Sequence, residues 1–328
     1  MGKYAVGIDV GGTKVAYGLF NDRGELIAKK KLPSRKDLSS EPYFDVMVQN
    51  VRELLAQQHL TEADLRGIGI DVPSTVLFEK GMVINSVNLP MLNNFDVLSY
   101  MKKALGDKVK VVLDNDAHAA ALAEYRRGAG RGFKHMVYCA VSTGVSTGLI
   151  INGQVFRGTY GFAGESGHML ITPDTGVQCG CGNKGCFESY CSGSKVVTHI
   201  QDAIAAGTKT QMTDLAGGAA NITAEHLLKA CQNGDELARQ MVDMMAHYMG
   251  VWLFNVYVFL NINCFVFGGG LLNFGEVLFK PVQETFAHYN HNRQQDYPVY
   301  FKKAELGDDF GIYGAVELLD DVKAEELG

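Results

Sequence analysis

The sequence has no long hydrophobic run and no recognisable export signal. Its longest apolar stretch, MGVWLFNVYVFL at residues 249–260, is interrupted by Asn255 and is too short to span a bilayer, so it predicts a buried helix. The N-terminal MGKYAVGIDVGG contains no apolar core of a secretory signal. Its sixth residue, Val6, stands where an N-myristoylation motif needs Ser or Thr. These absences predict a cytoplasmic protein with no membrane partner.

An excess of positive charge is also missing. The 328 residues carry 30 Lys and Arg against 36 Asp and Glu, a formal net charge of -6. Because binding to duplex nucleic acid normally needs a basic face, we expect no nucleic-acid partner. The hydrophobic share of 47% and the length are typical of a globular protein with about two domains.

The cysteines do not suggest a disulfide framework, since there are seven of them in a chain that we expect not to be exported. Three of them lie within CGCGNKGC at residues 179–186, and His168 lies just upstream. Sulfur ligands favour zinc or iron–sulfur over magnesium, and three thiolates with one imidazole are a common structural zinc set. We therefore predict a zinc site at His168, Cys179, Cys181 and Cys186, with buried or loosely exposed free cysteines as the alternative.

The chain has no low-complexity segment and no obvious linker, but one pattern occurs twice. KYAVGIDVGGTKVAYGLFNDRGELI, from residue 3, reads as strand, glycine-rich turn, strand, turn and strand. HMVYCAVSTGVSTGLIINGQVFRG, from residue 135, repeats that order. Two copies of one hairpin unit predict a duplicated, two-domain α/β architecture.

Other segments have helical or buried-strand patterns. LRGIGIDVP and VKVVLDN read as buried strands, and apolar spacing predicts a helix over residues 43–58. DAHAAALAEYRRG is rich in good helix formers, and we expect mainly helix over residues 194–260. A last helix is expected to begin within DDFGIYGAVELL.

Three glycine turns follow strands: DVGGTK (residues 9–14), STGVSTG (142–148) and GGG (268–270). Such a turn can place several backbone N–H groups on one side as an anion pocket, and glycine permits close approach of a ligand. Each turn alone is more often a plain tight turn. None of them fits the Walker or Rossmann pattern. Together they predict binding of nucleotide phosphates.

Two carboxylates stand at positions suited to phosphoryl transfer. Asp116 lies where VKVVLDN gives way to a helix, and transfer to an alcohol needs a carboxylate to accept the hydroxyl proton. A plain N-cap aspartate is the alternative. Asp9 is placed to orient magnesium or its waters, with an ordinary turn aspartate as its alternative. Asn115 offers a polar ligand both a donor and an acceptor. His118 is interpreted as a helix-surface histidine rather than as a base.

These motifs resemble the ROK family of sugar kinases and sugar-responsive repressors. GIDVGGTK and STGVSTG are similar to its two phosphate hairpins, and DNDAHAAALAE to its catalytic segment. GESGHMLITPDTGVQCGCGNKGCFESYCSG is similar to its zinc signature, and NCFVFGGGLLN to its adenosine-side strand. The resemblance runs from residue 5 to about 317 and is most specific in the zinc signature.

The resemblance implies an actin- and hexokinase-like, duplicated ribonuclease H-like fold, with two α/β domains around a cleft where sugar and ATP with Mg²⁺ meet. We expect domains at residues 1–117 and 118–312, a final helix at about 313–328 that packs back on the first domain, and a homodimer.

The resemblance also implies roles for single residues. Asp116 is the implied general base. The implied sugar contacts are Asn115, Asp116, Glu165, His168, Glu188, Ser74 and Asn88. The implied ATP and phosphate contacts are Asp9, Gly11, Gly12, Thr13, Lys14, Ser142, Thr143, Gly144, Gly268, Gly269 and Gly270. The implied ligands of a structural Zn²⁺ are His168, Cys179, Cys181 and Cys186, so that His168 belongs to two sets.

Two departures from the family pattern stand out. Ser142, Ser146 and Thr147 replace the usual glycines of the second hairpin, where they would either crowd the phosphates or add hydrogen bonds. Ser74 and Thr75 replace a glycine-containing turn at the expected sugar pocket, so the family pattern does not specify which sugar binds.

The expected activity is ATP-dependent phosphorylation of a hexose hydroxyl, with the 6-hydroxyl of glucose as first choice. N-acetylmannosamine, N-acetylglucosamine, fructose and allose are alternative sugars. A catalytically weak sugar-binding or sugar-sensing protein is the second interpretation. A repressor is less favoured, because the first hairpin starts at residue 4 and leaves no room before it for a helix-turn-helix domain.

Overall fold

A computed structural model describes residues 2–174, 176–291 and 297–321. The strands of these residues are β1 (Tyr4–Val10), β2 (Lys14–Phe20), β3 (Leu26–Pro33), β4 (Leu65–Val72), β5 (Thr75–Leu77), β6 (Met82–Asn85), β7 (Phe95–Asp96), β8 (Lys110–Asn115), β9 (Met136–Val141), β10 (Val145–Ile151), β11 (Gln154–Val155), β12 (Cys264–Gly268) and β13 (Tyr300–Lys303). The α-helices are α1 (Ser40–Ala56), α2 (Val97–Leu105), α3 (Asp116–Arg127), α4 (Glu188–Cys191), α5 (Gly193–Ala205), α6 (Gln211–Ala216), α7 (Ala224–Gln232), α8 (Glu236–Leu260), α9 (Glu276–Asn290) and α10 (Phe310–Asp321).

Two five-stranded sheets repeat one order of strands. The first is β3-β2-β1-β4-β8 and the second β11-β10-β9-β12-β13. In the first, β1 pairs antiparallel with β2 and parallel with β4; in the second, β10 pairs antiparallel with β11, and β12 pairs parallel with β13. The predicted duplication of a strand–turn–strand unit is therefore confirmed in the strand order.

The chain divides into two compact units. The first unit comprises residues 1–138, 148–164 and 304–328, and the second comprises residues 139–147 and 165–303. This division differs from the predicted boundary after residue 117, since α3 lies in the first unit. The physical reason is that α3 packs on α10, where a side chain at Gly314 would collide with the Ala119 backbone.

In the first unit, β1 packs against a different helix on each face of its sheet, α1 on one and α10 on the other. Side chains of a strand alternate between the faces of its sheet. Val6 and Ile8 belong to the same buried cluster as Phe44 of α1. Gly7 lies between them, and a side chain there would collide with the backbone of α10 at Ile312. Glycine at this position lets the backbone of α10 lie directly on the sheet.

The last helix begins at Phe310 rather than at about residue 313, and the expected continuation over residues 322–328 lies outside the described residues. A small sheet of order β5-β6-β7 and helix α2 also belong to the first unit, and the sequence patterns did not predict them.

The second unit contains the long helix α8, which includes the apolar stretch at residues 249–260. One face of this stretch is buried, with Trp252 stacked on Phe187 at a centroid distance of 5.0 Å. Asn255 and Phe259 are exposed on the other side. The predicted helix is thus confirmed, and it is buried on one face. None of the helices in the described part of the chain combines the length and the apolar character that a membrane span needs.

Candidate active site

Three aspartates form a row across the first sheet. Asp9 of β1 lies beside Asp71 of β4 in register, and Asp71 lies beside Asp114 of β8. Since neighbouring strands are parallel here and residues in register share a face, the three carboxylates point to the same side. We call Asp9, Asp71 and Asp114 the aspartate row. Asp71 and Asp114 are buried, whereas Asp9 is partly exposed.

Asp71 was missed by the sequence reasoning. It is 1% exposed, and within the described residues neither of its oxygens has a hydrogen-bond donor. Burial first, and then the charges of Asp9 and Asp116, raise the pKa of Asp71 well above its usual range. The available signal was the position of Asp71 at the end of a buried strand, which matches the position of Asp9 in GIDVGG.

Asp114 is neutralised by two buried cations. Its Oδ1 lies 2.8 Å from Nδ1 of His118, and its Oδ2 accepts a hydrogen bond of 2.7 Å from Nε of Arg157. Burial opposes ionisation of this carboxyl group, but His118 and Arg157 outweigh it and lower the pKa of Asp114. Arg157 also reaches Asp321 of α10 at 2.9 Å.

His118 is buried, so its interpretation as a surface histidine was wrong. Its Nε2 lies 3.0 Å from the carbonyl oxygen of Ala163, which can only accept a hydrogen bond. Nε2 therefore carries a proton, and Nδ1 carries another because Asp114 is ionised. Burial alone would lower the pKa of His118, but Asp114 raises it. The missed signal was that Asp114 and His118 are four residues apart, on either side of the junction between β8 and α3. This places the histidine in the first turn of the helix, within reach of the aspartate at the strand end.

Asn115 and Asp116 occupy the start of α3. Oδ1 of Asn115 accepts a hydrogen bond of 2.8 Å from the N–H of Ala117, and Nδ2 donates to the carbonyl oxygen of Ser74 at 3.0 Å. Asn115 is therefore the N-cap, and its amide is engaged at both ends within the protein. Asp116 is the first helical residue, and its carboxylate accepts a hydrogen bond from Ala117 N–H at 2.8 Å. It is partly exposed, and the helix N-terminus favours its negative charge.

The first glycine turn, residues 11–14, connects β1 to β2. It is closed by a hydrogen bond of 2.8 Å from Gly11 N–H to the carbonyl oxygen of Lys14. A Cβ atom on Gly12 would lie 3.4 Å from Cβ of Asn88 and 3.5 Å from Nζ of Lys36. The structure thus places Asn88 beside this turn. It also adds an exposed cation, Lys36, that the sequence reasoning did not single out.

Asp9, which directly precedes β1's last residue, packs against the first turn of α10. A side chain on Gly311 would collide with Cγ and Oδ2 of Asp9. Glycine is therefore needed at residue 311 for the carboxylate to keep its position.

In the second unit, the other two glycine turns come together. A Cβ atom on Gly269 would lie 2.5 Å from the carbonyl oxygen of Val141, just before the turn at residues 142–144. The N-terminus of α5 lies at the same turn, because Gly193 N–H donates to Ser142 O at 2.6 Å. Backbone N–H groups at a helix start and a glycine turn form a site for anions such as phosphate.

The hydroxyl of Thr147, one of the departures from the family pattern, points inward. Its Oγ1 lies 2.6 Å from Oγ of Ser166, and both side chains are buried. Thr147 therefore does not crowd the turn. Ser142, Thr143 and Gly144 are exposed and face solvent.

His168, Cys179, Cys181 and Cys186 converge as a metal site requires, since their ligand atoms all lie within 4.8 Å of one another. The distance from Cys179 Sγ to His168 Nδ1 is 3.6 Å, and that from Cys181 Sγ to Cys186 Sγ is 3.6 Å. Tetrahedral zinc with ordinary bond lengths gives ligand separations of about 3.6 Å for S–N and about 3.8 Å for S–S. The donor set and its spacing therefore fit zinc.

Burial and the neighbouring sulfur atoms disfavour ionisation of the Cys186 thiol when no cation is bound. Burial first, and then its neighbours Cys181 and Cys179, raise the pKa of Cys186 to about 12. A bound cation would let all three sulfur atoms exist as thiolates. Within the described residues, the remaining cysteines, Cys139, Cys191, Cys231 and Cys264, do not join this group.

Glu188 touches both the second glycine turn and this cluster. Its Oε2 accepts a hydrogen bond of 3.3 Å from Val145 N–H, and its Oε1 lies 3.5 Å from Cys179 Sγ. The same oxygen lies 4.0 Å from Nδ1 of His168. Glu165 is exposed and precedes the short 3-10 helix Ser166–His168. His168 itself is 40% exposed, so its face opposite the thiols is open to a ligand.

Comparison with known proteins shows to which family the chain belongs. The sequence pattern of the ROK family matches residues 5–322. The chain belongs to the ROK family. It is 30% identical to a glucokinase of Halalkalibacterium halodurans, over 95% of this chain and 93% of the relative. It is 29% identical to an N-acetyl-D-glucosamine kinase of Mannheimia succiniciproducens, over 95% of this chain and 98% of the relative.

A solved ROK family glucokinase from Streptomyces griseus, in complex with glucose and AMPPNP, has a TM-score of 0.76 to this chain at 27% identity. The match covers 96% of this chain and 98% of that one. The expected family and its actin- and hexokinase-like α/β fold are thereby confirmed.

Proposed function

We propose that this ROK protein is an ATP-dependent hexokinase, which transfers the γ-phosphoryl group of ATP to a hexose hydroxyl. The observation that carries the proposal is Asp116, a partly exposed carboxylate at the N-terminus of a helix, next to the aspartate row. Asp116 accepts the proton of the attacking hydroxyl. Glucose is our first choice of sugar, because it is the ligand of the Streptomyces griseus relative, and we assign its 6-hydroxyl as the acceptor.

Within the first unit, Asp9 is proposed to orient Mg²⁺ or its waters, which fits the preference of that ion for oxygen ligands. Mg²⁺ that accompanies ATP neutralises charge on the transferring group. The turn at residues 11–14 offers backbone N–H groups to phosphate oxygens. Asn88 and Lys36 beside Gly12 add a polar and a cationic side chain. Ser74 and Asn115 are proposed to contact the sugar, Asn115 through the second N–H of its Nδ2, which the bond to Ser74 leaves available. Asn115 also sets the position of Asp116.

Within the second unit, the turns at residues 142–144 and 268–270 and the start of α5 are proposed to hold ATP. Their mutual contacts support a common site. Glu165, His168 and Glu188 are proposed to bind sugar hydroxyls. His168 directs Nδ1 to the thiols, so Nε2 is available to a hydroxyl.

The cluster of His168, Cys179, Cys181 and Cys186 is proposed to bind one structural Zn²⁺. With four protein ligands, zinc has no open position for water or substrate. Its contribution is geometric, since it fixes His168 and the segment that leads to Glu188.

A coupled ADP-release assay over a hexose panel tests the activity. The panel contains glucose, N-acetylglucosamine, N-acetylmannosamine, fructose and allose, and N-acetylglucosamine is included because of the Mannheimia succiniciproducens relative. Sugar-dependent ADP release, highest with glucose, is the expected result. Binding of a sugar by calorimetry without ADP release would support the sugar-sensing alternative instead.

We also propose a cytoplasmic location and a homodimer. None of the seven cysteines, all of which lie among the described residues, is paired in a disulfide, which fits a reducing compartment. Light scattering on the purified protein would establish the oligomeric state.

A further inference from the structure

The aspartate row contains a buried carboxylate that the proposed mechanism does not use. Asp114 has its two cations, His118 and Arg157, and Asp9 is partly exposed. Asp71, between them in the sheet, is 1% exposed and has no hydrogen-bond donor among the described residues. A buried, unpaired charge is strongly destabilising, so such a group needs a positive partner or a proton.

A polar neighbour of Asp71 in the sheet is another carboxylate, Asp9. The carboxyl groups of Asp71 and Asp9 lie within hydrogen-bonding reach of each other, and Asp116 is close enough to repel Asp71. Two ionised carboxylates are both acceptors and cannot hydrogen-bond to each other. They can share a cation, which then satisfies oxygen atoms of both groups. The alternative is a proton shared by the pair.

We infer that Asp71 and Asp9 together bind a divalent cation of the Mg²⁺ class, with Asp71 as its second protein ligand. Magnesium commonly takes one or two carboxylates and completes its octahedron with water and phosphate oxygens. The pair offers such a set, and the exposed side of Asp9 gives the ion and its waters access. Arg157 does not substitute for the ion, because its guanidinium is hydrogen-bonded to Asp114 and ion-paired with Asp321.

The use of this ion in phosphoryl transfer rests on the proposed function, but its binding does not. With Asp71 as a second ligand, the ion would bind before the nucleotide does. The carboxylates of Asp9 and Asp71 together hold the ion more strongly than Asp9 alone. Phosphate oxygens of ATP would then replace some of its waters.

The test measures Mn²⁺ binding to the zinc-loaded, full-length protein by electron paramagnetic resonance, without ATP or sugar. Thiolate sites disfavour Mn²⁺, so the cluster at Cys179 does not interfere. We expect one Mn²⁺ per chain, displaced by Mg²⁺, and affinity lower by roughly tenfold or more in Asp71→Asn. The control Asp320→Asn, which removes an exposed partner of Arg66, should bind like the wild type.

Equal Mn²⁺ affinity in the wild type and Asp71→Asn would overturn the inference. So would a wild type that binds no Mn²⁺ and shows an infrared band of a protonated carboxyl group that disappears in Asp71→Asn. If Asp71→Asn does not fold by circular dichroism, Asp9→Asn decides, since it must lose the ion as well.

A second readout is the melting temperature of the wild type, which Mg²⁺ should raise in the absence of nucleotide. Failure of the kinase proposal would be seen separately, as Mn²⁺ binding at Asp71 with no ADP release on any sugar.

Discussion

Asp114 and His118 form a buried ion pair of 2.8 Å, and the proposed base Asp116 lies midway between them in the sequence. The pair fixes the end of β8 to the first turn of α3. His118 then reaches on to the carbonyl oxygen of Ala163 at 3.0 Å. The position of Asp116 is therefore set by buried charges as well as by the Asn115 cap.

Replacement of Asp116 by Asn should abolish most of the turnover. The amide is nearly isosteric but cannot accept the hydroxyl proton, and a positioned base is typically worth about 10² to 10⁴ in rate. The turnover number is measured by ADP release, and sugar affinity by calorimetry should stay close to that of the wild type. Turnover within about tenfold of the wild type would remove Asp116 from this role.

His118→Gln should change how stability depends on pH. The pKa of His118 is raised in the folded protein, so the stabilisation by its positive charge is complete below about pH 6.5 and is lost as the pH rises through the folded value. The free energy of unfolding of His118→Gln should not fall over this pH range as that of the wild type does. At pH 6 it should be lower than that of the wild type by about 3 kcal/mol.

Urea unfolding of His118→Gln and of the wild type, at a series of pH values between 5 and about 9, measures this difference in stability.

The contribution of Asp114 to stability changes with pH in the opposite direction and at lower pH. Its pKa is lowered, so its contribution is present above about pH 3.9 and is lost on acidification through the folded value. Identical pH profiles for His118→Gln and the wild type would show that His118 is not charged.

Elemental analysis should find one zinc per chain, and Cys181→Ser should weaken this site. Because zinc positions His168 and the approach to Glu188, sugar affinity should fall strongly while ATP affinity changes much less. Both affinities are measured by calorimetry on protein shown to be folded.

Cys231→Ser is the matched control for Cys181→Ser, since Cys231 lies outside the cluster. Iron instead of zinc, or no metal in carefully prepared protein, would contradict the assignment. Equal loss of sugar and ATP affinity would indicate unfolding.

Gly311→Ala should displace the Asp9 carboxylate, because the added Cβ collides with Asp9 Cγ and Oδ2. We expect a fall of roughly tenfold or more in kcat/KM for ATP, since small errors of position have large effects on rate. Sugar affinity should be unaffected. A variant with wild-type kinetics in the ADP-release assay would show that Asp9 tolerates displacement.

Much of the fold was predictable because local patterns agree with it. Apolar strands that end at glycine turns and the helix-forming residues of α3 each specify their own element. The cysteine spacing identified the cluster, since ligands close in sequence need only a tight loop to converge.

Asp71 and His118 were not predicted, and their environments depend on contacts that sequence patterns do not contain. Asp71 becomes significant only through its register between Asp9 and Asp114. His118 is buried by Asp114 from the preceding strand and by Ala163, which lies much later in the chain. Their roles arise from the order of strands, which a local pattern does not specify.

The central claim is that this protein phosphorylates a hexose with ATP, and phosphorus NMR of the reaction mixture tests it most directly. With purified protein, MgATP and glucose, the spectrum should show ADP together with a phosphomonoester coupled to the protons on carbon 6. 6-Deoxyglucose, which lacks the accepting hydroxyl, should give no such signal, and Asp116→Asn should give almost none with glucose. Absence of any sugar phosphate with every hexose of the panel, from folded, zinc-loaded wild-type protein, would contradict the account.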